Sequence, residues 1–472
     1  MITHGRGRRA LLTLLLALGC DDPPEQPARP SFGALDGGIV SSDGATLADS
    51  GAQVERGPRV GPVFGVVSSD YTATSISLLD EAGDVVAHDY LNSGSAQTKL
   101  VTALSGDVTL PGRSGESGVL VLLDRYKTDV ITRIGLADAR LLGQVKTHTP
   151  TLQTSVHTYS SNPHDYVAFS ANSAWISRHE PNLDPGVAEL DRGTDLLRLD
   201  PSTMQRTGDR IDLSSLNGLG TRRSATTSAL EEVAIHARPS RMVRVGETLV
   251  VGLSRLAFDF SAYASGMVAI VDTQSRAVAS VELPGLANCS DVEPVAGRAD
   301  MVLVGCSGFR RAPADPRATG GIAVLQIGAG TAQVVHLWRA SEHPEDPAAF
   351  NNVFSLGGTL VATVAFGGRA QSALGNKPAV AASPDQLMVL DLATATFTHE
   401  LLRAEAPFSL GSGLYDPQTG LVLISDASVD ADKRPTAGVR RFRFSPPASF
   451  IELPLVKVAE RLNMPVRAVE FL

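Results

Sequence analysis

The chain has 472 residues, of which 43% are hydrophobic and 19% are charged, so it can bury a large core. Its formal net charge is −9, which argues against bulk nucleic-acid binding because the field of the whole molecule would repel a duplex. The 44 glycines and 28 prolines stand between short apolar runs, and this pattern predicts an all-β fold.

Residues 1–19 have the pattern of a signal peptide. Three arginines, Arg6, Arg8 and Arg9, precede an apolar run that is too short to span a bilayer as a mature helix. The segment leads into "LALGC", which resembles the lipobox of bacterial lipoproteins, in which the cysteine is diacylated and becomes the first residue. The resemblance implies lipidation of Cys20, although Ala17 departs from the usual leucine. An ordinary cleaved signal followed by a chance cysteine is the alternative.

Residues 20–59 are predicted to form a disordered, lipid-anchored linker. They are rich in Pro, Gly, Ser and Asp and have no apolar period, so they cannot offset the entropy of ordering. As a coil the linker would reach roughly 35 Å. Cleavage before Cys20 would remove three arginines and no acid, which would change the net charge from −9 to −12.

A unit of four strands recurs from residue 60 onward. Its clearest copy is 237–285, in which "LVVGLS", "MVAIVD" and "AVASVEL" follow a first apolar run and are separated by turn residues. The third strand of each unit ends at a turn. Seven such ends can be recognised, and they predict seven blades: Asp80, Ala137, Asp200, Asp272, Ile327, Asp391 and Ser445.

The two ends of the repeat region predict how the blades close. The first unit has only three strands and lacks its innermost one, whereas 464–472, "MPVRAVEFL", reads as a lone first strand. A C-terminal strand that completes the N-terminal blade would remove two exposed sheet edges. We therefore predict that 60–472 form a seven-bladed β-propeller, closed by the C-terminal strand.

The stretches "PHDYVAFSANSAWISR" and "VAIVDTQSRAV" resemble the YVTN-type seven-bladed β-propellers often found in bacterial envelope proteins. The resemblance covers 60–472. It implies that the first stretch is the inner hairpin of the third blade, with its turn at Asn172 and Ser173 and with Trp175 packed between blades. It implies a place in the bacterial cell envelope, and it leaves function open, because this fold is found in lactonases, quinoproteins and binding modules.

The sequence predicts no catalytic residue, no cofactor and no metal. The motifs G-x-S-x-G, S-x-x-K and H-E-x-x-H are absent from the sequence, and His148, His157, His164 and His179 lack the spacing of a metal site. The acidic stretch "SDASVDADK" leaves a calcium loop open as an alternative, although it lacks the required Gly and Glu. An envelope hydrolase or lactonase-like enzyme that uses the channel mouth is the alternative to a binding module.

Cys289 and Cys306 are predicted to form a disulfide. They bracket the first hairpin of the fifth blade, and a two-residue turn at Gly297 and Arg298 would place them opposite each other. Export makes oxidation chemically reasonable. Two free thiols remain the alternative, because a register error of one residue would turn one cysteine away.

One pattern recurs that folding does not require: the loop after the second strand carries an arginine in five blades. In propellers this loop lies on the same face as the start of each first strand, where further polar residues occur. This face is the predicted binding site for a protein, peptide or glycan ligand, and we expect the protein to be a monomer. The alternative is that the arginines pair with aspartates of neighbouring blades. The candidate residues are Arg125, His164, Asp165, Arg178, Arg241, Arg255, Asp291, Arg310, Asn351, Arg369 and Arg467.

Overall fold

The computed structural model describes residues 61–95, 100–149, 159–224, 226–311, 314–343, 350–366 and 383–472. All of them belong to one compact unit, 39–472. They form antiparallel strands, numbered here in chain order, and five short 3-10 turns at Glu189–Asp191, Ser214–Leu216, Pro316–Ala318, Ala340–Glu342 and Glu460–Leu462. Within these described ranges, no helix is long and apolar enough to cross a bilayer.

The strands form four-stranded sheets, which we number along the chain and write from the first strand outward. Sheet 1 contains β31 (Val466–Phe471), β1 (Phe64–Ser69), β2 (Thr74–Leu79) and β3 (Val85–Asn92). Sheet 2 contains β4 (Val108–Thr109), β5 (Val119–Asp124), β6 (Val130–Gly135) and β7 (Leu141–Lys146). Sheet 3 contains β8 (Pro163–Ser170), β9 (Ser173–Pro181), β10 (Gly193–Asp200) and β11 (Gln205–Asp212).

Four further sheets follow the same order. Sheet 4 contains β14 (Pro239–Val245), β15 (Thr248–Leu253), β17 (Gly266–Asp272) and β18 (Val278–Leu283). Sheet 5 contains β19 (Asp291–Val295), β20 (Arg298–Ser307), β21 (Gly320–Ile327) and β22 (Ala332–Arg339). Sheet 6 contains β23 (Phe350–Gly357), β24 (Leu360–Ala365), β25 (Gln386–Asp391) and β26 (Thr396–Arg403). Sheet 7 contains β27 (Leu410–Asp416), β28 (Leu421–Asp426), β29 (Val439–Ser445) and β30 (Ser449–Val456).

The strands follow the burial that their sequences dictate. The middle strands, such as β15 (TLVVGL) and β17 (GMVAIVD), are buried on both faces and therefore read as continuous apolar runs. The outermost strands, such as β3 and β26, alternate between exposed and half-buried residues because one of their faces meets water. The third strands of the seven sheets end at the positions predicted from the sequence or within two residues of them.

The hydrophobic core is divided among the contacts between consecutive sheets. Seven clusters of buried side chains each draw on two consecutive sheets. Between sheets 3 and 4, Trp175 packs with Leu249 and Met267, as expected for a residue between blades. Sheets 7 and 1 pack in the same way, through Leu423 and Val66. Consecutive first strands also contact each other, from β8 through β14, β19, β23 and β27 to β31.

Four-stranded meanders that pack face to face around their first strands define a known architecture. The fold is a β-propeller. The C-terminal strand β31 pairs antiparallel with β1, with Val469 opposite Val66. In this position it is the first strand of sheet 1.

Three details differ from the sequence-based expectations. The turn between β8 and β9 lies at Ala171 and Asn172, one residue earlier than predicted, and the turn between β19 and β20 lies at Ala296 and Gly297. An additional three-stranded sheet stands between sheets 3 and 4. It contains β12 (Gly218–Arg223), β13 (Leu230–His236) and β16 (Leu256–Ala257), and the sequence did not predict it.

Candidate functional site

The meander topology gives the propeller two distinct faces. Because neighbouring strands are antiparallel, the connections after the second and fourth strands of each sheet lie at the same end, where the first strands also begin. We call this end the loop face. The connections after the first and third strands form the opposite end, which we call the turn face.

The exposed aromatic side chains lie on the loop face. Among the described residues, five aromatic side chains are at least 39% exposed, and each stands in a connection that follows a second or a fourth strand. The exposed aliphatic side chains of Val86, Val334, Val335 and Ile451, in contrast, lie on outermost strands. An apolar surface on one end only is typical of an interaction site. The aromatic residues are Tyr71, Tyr126, Phe258, Phe260 and Phe408.

Three of these rings carry a cation over their faces. Over Phe260 it is the guanidinium of Arg238, which lies 4.3 Å from the ring centroid. The guanidinium of Arg467 lies 4.6 Å from the ring centroid of Tyr71, and the ammonium of Lys127 lies 5.3 Å from that of Tyr126. A cation over an aromatic face stabilises both groups and holds the ring in one orientation. The loop face therefore offers fixed apolar surfaces with positive charge beside them.

Arg178, predicted at the binding face, is fully buried. It donates two hydrogen bonds to Asp195, through Nε at 2.7 Å and Nη2 at 2.6 Å, and a third to the carbonyl oxygen of Thr147 at 2.7 Å. The carboxylate of Asp195 raises the pKa of Arg178 against the effect of burial. Both charges lie within sheet 3, so this pair braces one blade and its connection to sheet 2.

The other predicted arginines differ in their partners. Arg125 donates to Asp107 at 2.5 Å, and both side chains are one third exposed. Arg255 is buried and donates to the carbonyl oxygen of Ser265 at 2.7 Å, whereas its Nε has no hydrogen-bond partner among the described residues. Arg310 stacks over Phe366 at 5.0 Å, and its buried Nη1 likewise has no partner within the described part of the chain. Burial lowers the pKa of both Arg255 and Arg310.

The aspartates predicted at the starts of the first strands connect neighbouring sheets. Asp165 accepts the backbone N–H of Met242 in sheet 4 at 2.7 Å, and Asp291 accepts that of Val353 in sheet 6 at 2.7 Å. Each first strand is the edge of its own sheet, so its N–H groups require partners from elsewhere. These carboxylates supply them. They bind backbone groups rather than the loop arginines, which differs from the alternative proposed from the sequence.

In two further sheets, an uncharged side chain accepts a backbone N–H group of the next first strand. The amide oxygen of Asn352 accepts the N–H of Gly413 at 2.9 Å, and the hydroxyl of Ser412 accepts the N–H of Val469 at 2.9 Å. The second bond joins sheet 7 to β31. The inter-sheet hydrogen bonds therefore continue from sheet 5 through sheet 7 to the C-terminal strand.

Charged side chains meet in the central space between the first strands. Arg241 of sheet 4 reaches Glu470 of β31 at 2.5 Å and the carbonyl oxygen of Leu110, next to sheet 2, at 3.1 Å. Arg113 approaches Glu293 of sheet 5 at 4.0 Å. These contacts cross the centre of the molecule and join sheets that are not sequence neighbours.

The central carboxyl groups outnumber their cations. Burial raises the pKa of Glu293 to about 8, and Asp291 and Glu470 raise it further by repulsion. Burial also raises the pKa of Asp291 to about 6 and that of Glu470 to about 7. The salt bridge with Arg241 opposes the shift at Glu470, so Glu293 is the group that favours the protonated form most strongly.

His164 and His179 form a stacked pair, with centroids 4.1 Å apart and planes within 8° of each other. Nδ1 of His164 lies 3.0 Å from the hydroxyl of Ser240. Burial lowers the pKa of both rings well below the usual value, and the nearby arginines lower it further. Both rings are therefore neutral at pH 7. Among the described residues, no group of three or more His, Cys, Asp or Glu could hold a metal ion.

Cys289 and Cys306 are bonded, with their sulfur atoms 2.07 Å apart. The ladder pairs Asp291 with Gly305, so the two cysteines are not directly opposite each other in the hairpin. Cys289 precedes β19, where it forms a bridge with Leu253 of sheet 4. Several other candidates, namely Cys20, His157, Arg369 and the side chain of Asn351, lie outside the described residues.

Sequence reasoning missed the aromatic residues of the loop face and the central glutamates. The aromatics stand alone in loops and belong to no periodic pattern, so only the topology groups them. Glu293 and Glu470 did leave a signal. Each is a charged residue at an internal position of a first strand. In β19, Glu293 stands two residues after Asp291, whereas the corresponding position of β8, two residues after Asp165, is occupied by the apolar Val167.

Comparison with known proteins identifies no sequence relative: no family model matches the chain, and no curated protein matches it. Solved structures of similar fold include the β-propeller domain of Myceliophteria thermophila Cps50 (Swd1), at 10% identity and a TM-score of 0.44, with 78% of this chain and 94% of that chain covered. Saccharomyces cerevisiae Sqt1 has 11% identity and a TM-score of 0.43, with 86% of this chain and 84% of that chain covered. Kuenenia stuttgartiensis hydrazine synthase has 10% identity and a TM-score of 0.47, with 87% of this chain and 100% of that chain covered. The propeller assignment depends on the sheet topology and packing described above.

Proposed function

We propose that the protein is a lipid-anchored β-propeller of the bacterial envelope that binds a protein partner through its loop face. The observation that carries this proposal is the position of the exposed aromatic side chains, which all stand in loop-face connections. Exposed rings cost solvation free energy in an isolated protein, and a partner that covers them would recover it. Aromatic residues are also enriched among those that dominate binding at protein interfaces.

The same proposal includes a closed ring of seven blades. Three features support closure: β31 pairs with β1, sheet 7 shares a hydrophobic cluster with sheet 1, and Ser412 bonds to Val469. A closed ring leaves no unpaired sheet edge, and it holds the exposed loops on a rigid support. It also allows the protein to act as a monomer.

The chemistry of the loop face indicates what the partner offers. Arg467 beside Tyr71 and Lys127 beside Tyr126 combine a flat apolar surface with a positive charge. A protein segment in which aliphatic or aromatic side chains alternate with carboxylates would match both properties.

Site-directed photocrosslinking in cells tests this proposal. A benzophenone amino acid replaces Phe408, which is 47% exposed on the loop face, or Ile451, which is 60% exposed on an outermost strand. The proposal expects a discrete crosslinked product from position 408 and none from position 451. Replacing Arg467 with Gln and Lys127 with Gln in the same chain should reduce the yield at 408.

Two results would contradict the proposal. Equal crosslinking at 408 and 451 would mean that the loop face has no preferred partner. No product at 408, 71 or 126 in cells that express the protein at its natural level would mean that nothing covers these rings.

A further inference from the structure

We propose a second binding site, for a phosphate ester, in the groove between sheets 3 and 4 on the turn face. The groove encloses about 360 Å³, which is within the range of small-molecule sites. It lies at the opposite end of the sheets from the aromatic loop face. The proposal therefore does not depend on the function proposed for that face.

The walls of the groove come from strands β8, β9 and β10 of sheet 3 and from two turns of sheet 4, of which the β14–β15 turn contributes Glu247. The hairpin of β8 and β9 contributes Ser170 and Ser173, and the turn between β17 and β18 contributes Thr273 and Arg276. Arg198 projects from β10. Hydroxyl and guanidinium groups from two separate sheets thus converge on one cavity.

The two arginines share a single carboxylate. Arg198 donates to Asp209 through Nη1 at 3.1 Å, and Arg276 donates to the other oxygen of Asp209 through Nη2 at 2.7 Å. Arg198 also donates through Nε to the hydroxyl of Ser173 at 3.1 Å. Within the described residues, Nη2 of Arg198 and both Nε and Nη1 of Arg276 have no hydrogen-bond partner in the protein. The carboxylate of Asp209 therefore holds the guanidiniums of Arg198 and Arg276 in place, and other N–H donors of both arginines stay available to a ligand.

Two cations line the groove although the whole chain carries a net charge of −9: Arg198 and Arg276 face one lining carboxylate, Glu247. The adjacent charged side chains are Arg244, Asp209 and Asp272. An oxyanion with several terminal oxygens could accept from two guanidiniums and the surrounding hydroxyls simultaneously. A phosphate monoester fits this donor set better than a carboxylate, because it has three terminal oxygens rather than two.

The groove also has an apolar wall that an organic group would contact. Phe169 is half-buried at its edge, and the guanidinium of Arg244 lies 4.2 Å from the ring centroid and holds the ring in place. Trp175 is 3% exposed and closes the floor. The ligand is therefore an organic phosphate monoester, either a soluble ester or the headgroup of phosphatidic acid, rather than inorganic phosphate alone.

Calorimetry on the purified, mature protein tests this site with two probes. Glucose 6-phosphate represents a soluble monoester, and vesicles of phosphatidic acid in phosphatidylcholine represent a monoester headgroup, with pure phosphatidylcholine vesicles, whose phosphate is a diester, as the blank. The test variant is Arg276→Gln, whose side chain is 50% exposed. The matched control is Arg298→Gln, which changes an arginine that is 53% exposed on another turn-face hairpin.

The site predicts saturable binding of one probe that Arg276→Gln weakens about tenfold or more and that Arg298→Gln leaves unchanged. Binding of glucose 6-phosphate identifies a soluble ester as the ligand class, and binding only to the anionic vesicles identifies a headgroup. If neither probe binds, or if Arg276→Gln binds as tightly as the wild type at an unchanged melting temperature, the proposal is wrong.

Discussion

At the scale of single residues, the arginines that look alike in the sequence fall into different physical classes. Arg178 is buried with a carboxylate, and Arg125 is partly exposed with one. Arg255 is buried and Arg310 is half-buried, each without an ion-pair partner among the described residues. A buried charge that loses its partner is costly, whereas an exposed pair contributes little. The same substitution should therefore have very different effects at these positions.

We predict that Arg178→Ala lowers the free energy of unfolding by about 3–5 kcal/mol, because it leaves the buried Asp195 with two hydrogen bonds fewer and with Arg210 as its remaining cation. Arg125→Ala, the matched control, should cost about 0–1 kcal/mol because its pair with Asp107 is solvated. Equilibrium denaturation in urea measures both. Equal losses for the two variants would show that the burial of Arg178 has no energetic consequence.

Glu293 makes stability depend on pH. Its pKa is about 8 in the folded chain and about 4.5 in the unfolded chain, so the folded state binds the proton more tightly. This contribution is fully present below pH 4.5 and is lost as pH rises to about 8. Asp291 and Glu470, whose pKa values are also raised, act in the same direction.

We predict that the wild type melts several degrees lower at pH 8.5 than at pH 5.5, and that Glu293→Gln narrows this difference by raising the melting temperature at pH 8.5. Thermal melts of both proteins across this range measure the effect. Glu452→Gln, which changes an exposed glutamate on β30, should leave the difference intact. A Glu293→Gln profile that parallels the wild type would mean that Glu293 is ionised throughout.

At the scale of strands and sheets, the first strands determine how the blades associate. Each is an edge strand, and the side chains of Asp165, Asp291, Asn352 and Ser412 satisfy N–H groups of the next first strand. β31 receives the last of these bonds while it pairs with β1 on its other side. A change in β31 should therefore affect sheet 7 and sheet 1 together.

We predict that Val469→Asp, or deletion of 464–472, nearly abolishes the soluble yield. Val469 is fully buried between sheets 7 and 1, and a charge there would lack a partner. Ile451→Asp is the control, because this residue is 60% exposed on the outermost strand of sheet 7. A deletion variant that melts as cooperatively as the wild type, at the same temperature, would refute closure by β31.

The sequence predicted the strands well because their burial imposes simple patterns. The continuous apolar runs of the middle strands located the third-strand ends, and Trp175 was correctly placed between blades. The extra sheet of β12, β13 and β16 left only an indirect trace in the sequence. The longest spacing between successive predicted third-strand ends, from Asp200 to Asp272, contains all of it. Alternating residues in an insertion resemble any other strand, and the blade pattern gave no position for them.

The candidate site was less predictable, because the role of a polar side chain depends on its partner in space. The arginine pattern was visible, but the sequence did not show that Arg178 would be fully enclosed with Asp195 in the adjacent strand. Nor did it show that Asp165 and Asp291 would accept backbone N–H groups of other sheets. Such pairings require the register and the packing of sheets, which the local pattern does not contain.

At the scale of the whole molecule, the two faces have different chemistry and are suited to different contacts. The loop face carries the exposed aromatic rings, whereas the turn face carries the groove with Arg198 and Arg276. Cysteine chemistry allows the proposed lipid anchor to be tested, because the chain has only three cysteines and two of them, Cys289 and Cys306, are bonded to each other.

We predict that Cys20 carries the lipid and is the only site of acylation. Cells that express the protein are labelled with a palmitate analogue, and the label should appear on the wild type and on the double variant Cys289→Ser/Cys306→Ser. It should be absent from Cys20→Ser, which should also leave the membrane fraction, because the signal is followed by a linker rather than by an apolar span. Label retained on Cys20→Ser would overturn the proposed anchor.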